Sequence, residues 1–201
     1  MIFDLATLPF GDAYKLAVGS VVPRPIAFVS SRSAAGVDNL APFSFFTVIC
    51  ANPLTLCFST MRKGPNAVKK DTLANIEATR EFVIHVVDEA FVEQMNLCAA
   101  ELDPETSEFD FSGLTAVPAD VVNASRVQES PIAFECTLNQ VLEISDRPGG
   151  GSLIIGTVLR AHVRDDLYDN GRVRLDRWRP LGRLAGAGYC RVTDLFDLER
   201  P

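Results

Sequence analysis

The amino-acid sequence predicts a mostly β protein whose strands form an antiparallel barrel. Two short apolar runs, 26–31 and 54–60, are rich in β-branched and aromatic residues and are bounded by Pro, Gly, Asn or Asp, as buried strands are. Two longer runs, 132–144 and 153–163, are joined by a link with three consecutive glycines. Together with a strand at 81–87, these runs make an antiparallel meander long enough to curl into a barrel.

Length and composition indicate one domain covering residues 1–201. The chain has 201 residues, 47% of them hydrophobic, which is enough to build an independent core. No internal repeat or low-complexity linker suggests a domain boundary. The net charge of -7 argues against a nucleic-acid partner, which would require a basic surface.

The chain shows no membrane or export signal. Its start lacks a basic segment followed by an apolar run and a cleavage site, and no stretch approaches the roughly 20 apolar residues that span a bilayer. We therefore expect a cytoplasmic protein with no membrane partner. Five cysteines, an odd number spread widely along the chain, are expected to be reduced.

The first 25 residues predict an approach to the first strand. Residues 1–22 are expected to form an irregular arm with a short turn of structure. The sequence Val-Val-Pro-Arg-Pro at 21–25 forces an extended backbone, because a residue before proline is disfavoured in the α region. This holds Arg24 on a stiff segment, either as a contact to a phosphate or nicotinamide or as a solvated surface residue.

The segment 39–46, Asn-Leu-Ala-Pro-Phe-Ser-Phe-Phe, is a candidate ligand site. Pro42 lacks a backbone donor and would interrupt a central strand ladder, which leaves neighbouring amides free. Small residues, free amides and aromatic side chains together suit a flat heteroaromatic ligand. The alternative is a strand entered through an irregular loop with a phenylalanine-rich core face.

A second candidate site lies at 69–76, Lys-Lys-Asp-Thr-Leu-Ala-Asn-Ile, which follows a turn at 61–66. This sequence opens a helix, with Asp71 or Thr72 as its N-cap. Free amides and the positive end of a helix dipole, next to lysine ammonium groups, favour an anion such as a phosphate. The alternative is an ordinary basic surface before a helix.

The rest of the chain offers less specific signals. His85 lies inside the predicted strand 81–87 and is expected to be a core residue with one satisfied nitrogen. Residues 88–100 have helical apolar spacing, whereas 101–117 has no clear period and is expected to cross over the barrel.

The C-terminal part of the chain is expected to combine loops with one closing element. Residues 165–179 predict a surface loop with a short helix or hairpin. The glycine-rich segment 180–189 permits close approach of backbone to a ligand, and 190–198 alternates like a closing strand or short helix.

Several other chemistries lack their motifs. His85 and His162 lie on separate strands without an HExxH or CxxC pattern, so we expect no metal site. The chain has no G-x-S-x-G elbow, no GxGxxG fingerprint and no P-loop.

Five sequence blocks together resemble one known family. They are PRPIAFVS at 23–30, NLAPFSFF at 39–46, PLTLCFST at 53–60, KKDTLANI at 69–76 and PLGRLAGAGY at 180–189. In this order they resemble the flavin reductase-like family of FMN-binding split barrels, the relatives of flavoredoxin, over nearly the whole chain. The resemblance implies an antiparallel Greek-key split β-barrel and a homodimer.

The resemblance also implies a function. It suggests an oxidoreductase that transfers hydride from NADH or NADPH to FMN, with FAD as the alternative flavin, and that supplies reduced flavin to a separate monooxygenase. A flavoredoxin-type FMN electron carrier without efficient direct turnover of NAD(P)H is the main alternative, and a non-redox domain is a third. The cofactor carries the reactivity, so no catalytic residue is assigned.

The resemblance implies positions for the residues that bind the flavin. Residues 41–45 would line the ring, Asn39 would reach its polar edge or the ribityl chain, and the others would hold the ribityl or phosphate oxygens. The full cofactor set is Asn39, Ala41, Pro42, Phe43, Ser44, Phe45, Ser59, Thr60, Arg62, Lys70, Asp71, Thr72 and Arg183.

One position departs from the family pattern. Reductases of this family often carry a histidine facing the nicotinamide just before the strand that matches 153–156. This chain has Gly151 and Ser152 there. The resemblance therefore supports the nicotinamide site less well than the flavin site.

Overall fold

The computed structural model describes residues 1–200, and thirteen strands carry most of its architecture. They are β1 (Ala27–Arg32), β2 (Asp38–Phe43), β3 (Phe46–Ala51), β4 (Leu54–Met61), β5 (Glu81–Val86), β6 (Ala116–Val117), β7 (Arg126–Val127), β8 (Ile132–Glu143), β9 (Gly151–Val163), β10 (Tyr168–Asp169), β11 (Arg172–Val173), β12 (Leu181–Arg183) and β13 (Tyr189–Arg191). The predicted strands at 26–31, 54–60, 81–87, 132–144 and 153–163 are confirmed within one or two residues.

Seven strands form one antiparallel sheet in the order β2-β1-β5-β8-β9-β4-β3. Its two edge strands, β2 and β3, follow each other in the chain with only Ser44 and Phe45 between them. The sheet must therefore curl until its edges meet at this turn, where the Phe45 carbonyl accepts a hydrogen bond from the Ser59 amide at 2.8 Å. The edges meet without forming a ladder, which is the split barrel that the resemblance implied.

The inside of the barrel is filled by aromatic and aliphatic side chains from facing strands. Phe58 and Phe82 are fully buried and their rings meet edge to face, with centroids 5.8 Å apart. Gly156 is needed opposite them, because a Cβ there would lie 2.3 Å from Cζ of Phe82. Burial of such side chains contributes most of the folding free energy.

Four α-helices pack around the barrel: α1 (Phe10–Ser20), α2 (Asp71–Thr79), α3 (Val92–Leu97) and α4 (Glu108–Ser112). Helix α2 buries Leu73 and Ile76 in the barrel core. Helices α3 and α4 add Met95 and Phe109 to a second core, which also contains Phe28. No helix among residues 1–200 is long and apolar enough to cross a bilayer.

Several local expectations were wrong. The arm contains an 11-residue helix, α1, where only a short turn was expected. The helix expected over 88–100 is divided into a 3₁₀ turn at Glu89–Phe91, capped by the Asp88 side chain, and α3, because Phe91 with φ −129° and ψ 22° leaves the helical conformation.

The region 101–117 also differs from its expectation, because it contains α4 and the short strand β6. Helix α4 is bounded by Ser107, whose hydroxyl accepts from the Phe109 amide, and by Gly113 in the left-handed conformation. These are ordinary capping signals. They delimit a helix of only five residues, too short to show a period.

The C-terminal part matches its prediction more closely. Residues 165–177 form two 3₁₀ turns on either side of the hairpin β10–β11. Of the expected closing element at 190–198, only β13 is regular, and it pairs with β12.

Candidate functional site

Three cavities lie where the barrel edges, α1 and α2 come together. The helix cavity, of about 60 Å³, is lined at the start of α2 by Asn39, Ala41, Pro42, Lys63, Lys70, Asp71, Thr72, Cys98, Ala99, Ala100, Glu101 and Glu108. The turn cavity, of about 190 Å³, is lined by Tyr14, Pro42, Phe43, Ser44, Phe45, Ser59, Met61 and Lys70. The arm cavity, of about 620 Å³, is lined by Phe10, Gly11, Tyr14, Met61, Arg62, Gly64, Pro65, Pro148 and Gly149.

Helix α2 presents free backbone donors to the helix cavity. Its N-cap residue is Lys70, not Asp71 or Thr72, and it makes no side-chain cap hydrogen bond within residues 1–200. The amides of Asp71 and Thr72 are the first in the helix and have no intrahelical acceptor. The start of α2 therefore offers donors and the positive end of the helix dipole to an anion.

Two lysines add positive charge to this cavity. Lys63 is placed there by a backbone bridge to Val68, and its Nζ lies 3.1 Å from the Asp71 carboxylate. Lys70 lies with its Nζ 5.7 Å from the centroid of the Phe43 ring. Burial lowers the pKa of Lys70, and the charge of Lys63 lowers that pKa further. An anion bound in this cavity would raise the pKa of Lys70 again, because it favours the charged ammonium form.

A buried carboxylate organises the opposite wall. Glu108 is only 7% exposed, and it accepts hydrogen bonds from Asn39 Nδ2 at 2.9 and 3.0 Å and from the Leu40 amide at 2.9 Å. Burial raises the pKa of Glu108, while these hydrogen bonds oppose the shift. Thr72 donates its hydroxyl to Asn39 Oδ1 at 2.8 Å. The network fixes β2 against α4 and α2.

Arg24 does not line the turn cavity but holds one of its lining residues, Ser44, in place. It is 6% exposed, so the solvated alternative was wrong. Its guanidinium donates to the carbonyls of Val18, Val21 and Leu184 at 2.8, 2.9 and 3.0 Å, and its Nε donates to the Ser44 hydroxyl at 3.3 Å. Arg24 thus ties the end of α1 and the C-terminal hairpin to the turn between β2 and β3.

Pro42 lies within β2, paired with Phe28 of β1. The expected interruption of a central ladder does not occur, because β2 is an edge strand and needs no donor from Pro42 on its free side.

The predicted cofactor residues fall into two groups. Ten of them line the helix cavity, the turn cavity or both: Asn39, Ala41, Pro42, Phe43, Ser44, Phe45, Ser59, Lys70, Asp71 and Thr72. Three lie elsewhere. Arg62 lines the arm cavity, and Thr60 is buried in β4 opposite Ser152.

Arg183 is the third residue outside these two cavities. Its guanidinium donates to the Gly186 and Gly188 carbonyls of its own hairpin at 2.5 and 2.7 Å and lies 4.6 Å from the Tyr189 ring centroid. Its predicted contact to the flavin stays a prediction, as do the contacts of Thr60 and Arg62.

Sequence reasoning missed eight lining residues: Tyr14, Met61, Lys63, Cys98, Ala99, Ala100, Glu101 and Glu108. The turn at 61–66 was read by composition alone, although its basic residues precede the lysines of α2. No local signal marks Glu108 or Tyr14, because each reaches the site from an element distant in sequence.

His85 is a core residue, as predicted. Its Nδ1 lies 2.9 Å from the Phe28 carbonyl and its Nε2 accepts from the Val127 amide at 3.0 Å, so both nitrogens are satisfied instead of one. Burial lowers the pKa of His85 to about 4. This keeps the ring neutral at physiological pH.

One cluster brings metal-ligating residue types together. Single ligand atoms of Asp120, Glu135 and His162 lie within 4.8 Å of one another. Glu135, however, already accepts from the amides of Asp120 and Val121 at 2.9 and 2.7 Å and contacts His162 Nε2 at 2.5 Å. Its oxygens are engaged in anchoring the loop at 120–121, which is a structural role.

The fold and the paired cavities define a class of protein, the flavin-binding split barrels. The Flavin reductase like domain model matches residues 18–180, and this chain belongs to that family. The chain is 43% identical to the uncharacterized protein BH2278 of Halalkalibacterium halodurans, over 94% of this chain and 91% of that protein. It is 38% identical to the uncharacterized protein YwrF of Bacillus subtilis, over 100% of this chain and 98% of that one.

Solved structures agree with this family. Nitrilotriacetate monooxygenase component B from Bacillus cereus superposes with a TM-score of 0.94 at 37% identity, over 98% of both chains. The Pseudomonas fluorescens 2-nitrobenzoate 2-nitroreductase NbaA superposes with a TM-score of 0.90 at 33% identity, over 100% of this chain and 96% of that one. The family gives the chain a flavin-related redox role.

Proposed function

We propose that this protein binds FMN and catalyses hydride transfer from NADH or NADPH to it. The observation that carries the proposal is the connection between the helix cavity and the turn cavity, which share Pro42 and Lys70. An anion site thus adjoins an aromatic site, as a ligand with a phosphate at one end and a flat ring at the other requires.

The helix cavity fits the phosphate. The amides of Asp71 and Thr72 and the ammonium groups of Lys63 and Lys70 would hold its oxygens, while the Thr72 hydroxyl stays on Asn39. Lysine is a suitable phosphate ligand, and helix N-terminal amides favour the dianion. Asn39 is engaged at both ends, because its Nδ2 donates to the Glu108 carboxylate and its Oδ1 accepts from Thr72, so it would hold the wall of the site in place.

The turn cavity fits one face of the ring. Its walls are Pro42, Phe43, Ser44, Phe45 and Ser59. At about 190 Å³ it is smaller than the roughly 300 Å³ of a pocket that encloses a small ligand, so a ring bound there keeps one face open to a nicotinamide. FMN supplies the hydride-accepting chemistry when bound. Residues 42–45 would orient the ring, and the Ser44 hydroxyl is itself held in place by Arg24.

A comparison of FMN with riboflavin tests this binding mode. The two ligands share the ring and differ in the phosphate, so we expect the protein to bind FMN at least about tenfold more tightly, as one charge-assisted contact provides. Steady-state oxidation of NADH and NADPH with free FMN then measures the reductase activity. Equal affinity for both flavins would contradict the assignment of the helix cavity to the phosphate. Flavin binding without NAD(P)H oxidation would contradict the reductase activity.

The position of the family's histidine favours a second candidate, an FMN electron carrier of flavoredoxin type. Gly151 lies in β9 with Thr60 and Ser59 against it, and Ser152 is buried. No imidazole is available there to dock the nicotinamide. An electron carrier predicts a purified protein with tightly held flavin that dithionite reduces and NAD(P)H reduces slowly.

We further propose that two copies associate through β3. Five of its six residues are exposed, including Val48 at 59% and Ile49 at 48%, and Leu159 of β9 is also exposed. Exposed apolar side chains along an edge strand favour association, and a two-fold partner is the commonest solution. The similarity to a monooxygenase component supports a separate monooxygenase as the recipient of reduced flavin.

A further inference from the structure

The arm cavity lies outside the two cavities to which the proposed function assigns the flavin. Its walls come from three separate segments: α1, the end of β4 with the turn that follows, and the link between β8 and β9. The apolar members of these walls are Phe10, Tyr14, Met61, Pro65 and Pro148. A cavity of about 620 Å³ lies within the roughly 300–1,000 Å³ range of small-molecule sites.

The cavity has a flat aromatic wall. Gly149 has a φ of 75°, and a Cβ there would lie 2.6 Å from Cδ2 of Phe10. The Phe10 ring therefore rests directly on the backbone of the link, although much of its surface is exposed. Aromatic and proline surfaces of this kind favour a planar ring as ligand.

Arg62 is the one charged residue among those lining the arm cavity. Its side chain is only 7% exposed, yet within residues 1–200 its Nε has no hydrogen-bond partner. One of its other nitrogens, Nη2, is bound by Glu143, whose side chain is 52% exposed. A guanidinium has five donors and pairs best with a planar carboxylate, and a buried donor without a partner is costly.

The arm cavity adjoins the turn cavity, because Tyr14 and Met61 line both. A ligand in the arm cavity would therefore lie next to the flavin. This last step rests on the proposed function, which places the flavin in the turn cavity.

We infer that the arm cavity binds a planar aromatic carboxylate, with its ring between Phe10, Tyr14 and Pro148 and its carboxylate on the guanidinium of Arg62. The incoming carboxylate competes with Glu143 for the terminal nitrogens of the Arg62 guanidinium, whose Nε is itself fully buried. Substitutions at the two positions therefore act in opposite directions on affinity, which a purely structural role for Arg62 would not produce.

The test uses the full-length protein as purified, with 2-naphthoate as the probe and 2-naphthamide as its neutral analogue. Binding is followed by ligand-observed NMR titration, and flavin content is read separately from the visible spectrum. We expect 2-naphthoate to bind with a Kd of about 1 mM or lower and 2-naphthamide at least about tenfold more weakly. Arg62→Met should weaken 2-naphthoate about tenfold, and Glu143→Gln should tighten it about threefold.

Arg160→Met is the matched control, because Arg160 also pairs with a carboxylate, that of Asp120, but is absent from the walls of the arm cavity. It should leave 2-naphthoate binding unchanged. Equal binding of the acid and the amide by the unmodified protein would overturn the inference, as would no binding of either or a loss of affinity in Glu143→Gln. Failure of the flavin proposal would instead appear as the absence of bound flavin, with the naphthoate result unaffected.

Discussion

The two edges of the barrel sheet lie in opposite environments. β2 is covered by α2, α3 and α4, and its Leu40 and Phe43 are buried. β3 begins only three residues after β2 ends, yet nearly all of it is exposed. One edge is thus completed within the chain and lines the helix cavity, whereas the other is exposed, which is the basis for the proposal that a second copy covers it.

The first way to sharpen this comparison is to charge the exposed edge. Ile49→Glu places a carboxylate in the proposed contact between copies, where a buried unpaired charge costs about 3 kcal/mol or more. We expect the dimer dissociation constant to rise by about 100-fold or more, measured by sedimentation equilibrium.

Val173→Glu is the matched control for this substitution, because Val173 is an exposed apolar residue on the separate hairpin β10–β11. It should leave the association state unchanged. A protein that is monomeric before any substitution would contradict the role assigned to β3.

The second prediction concerns the covered edge. Glu108→Ala leaves the Leu40 amide and the Asn39 amide group without their buried acceptor, and we expect a loss of about 3 kcal/mol in the free energy of unfolding, measured by urea denaturation. Glu108→Gln keeps one acceptor oxygen and should lose about 1 kcal/mol. An equal loss in both variants would show that the hydrogen bonds do not hold this edge.

The third prediction tests the anion site on that edge. Lys70→Ala removes a charged donor to the phosphate, so the Kd for FMN should rise about 30-fold while that for riboflavin stays constant. Lys69→Ala is the matched control, because Lys69 pairs with Glu77 along α2. A loss of affinity for both flavins in Lys70→Ala would indicate a role in ring binding instead.

The smallest expected effect is the pH dependence of FMN affinity. Burial lowers the pKa of Lys70 in the free protein, so its charge is present at neutral pH and is lost as pH rises, starting below the usual lysine value of about 10.4. FMN affinity should therefore fall severalfold as pH rises toward that value, relative to riboflavin. In the Lys70→Arg variant the affinity for FMN should no longer depend on pH in this range, because arginine stays charged. A slope that survives this substitution would assign the titration to another group.

The two edges also show which features of the fold and the site can be predicted from the sequence. The strands, the start of α2 and the lining role of Pro42, Ser44, Lys70 and Thr72 follow from local patterns, because apolar runs, prolines and lysines act on their neighbours. Glu108 and Tyr14 were missed, because they reach the cavities through tertiary packing. The sequence alone does not mark β3 as an exposed edge, because periodicity does not distinguish burial within a chain from burial between chains.

Anaerobic reduction of the flavin decides whether the protein is a reductase. The protein is mixed with one equivalent of FMN, and the blue absorption band is followed after addition of NADH or NADPH, with free FMN alone as the control. The account predicts rapid bleaching that is faster than in the control and that repeats with excess FMN. A bound flavin bleached by dithionite but by neither nicotinamide would contradict a reductase and establish an electron carrier, and absence of flavin binding would contradict the account altogether.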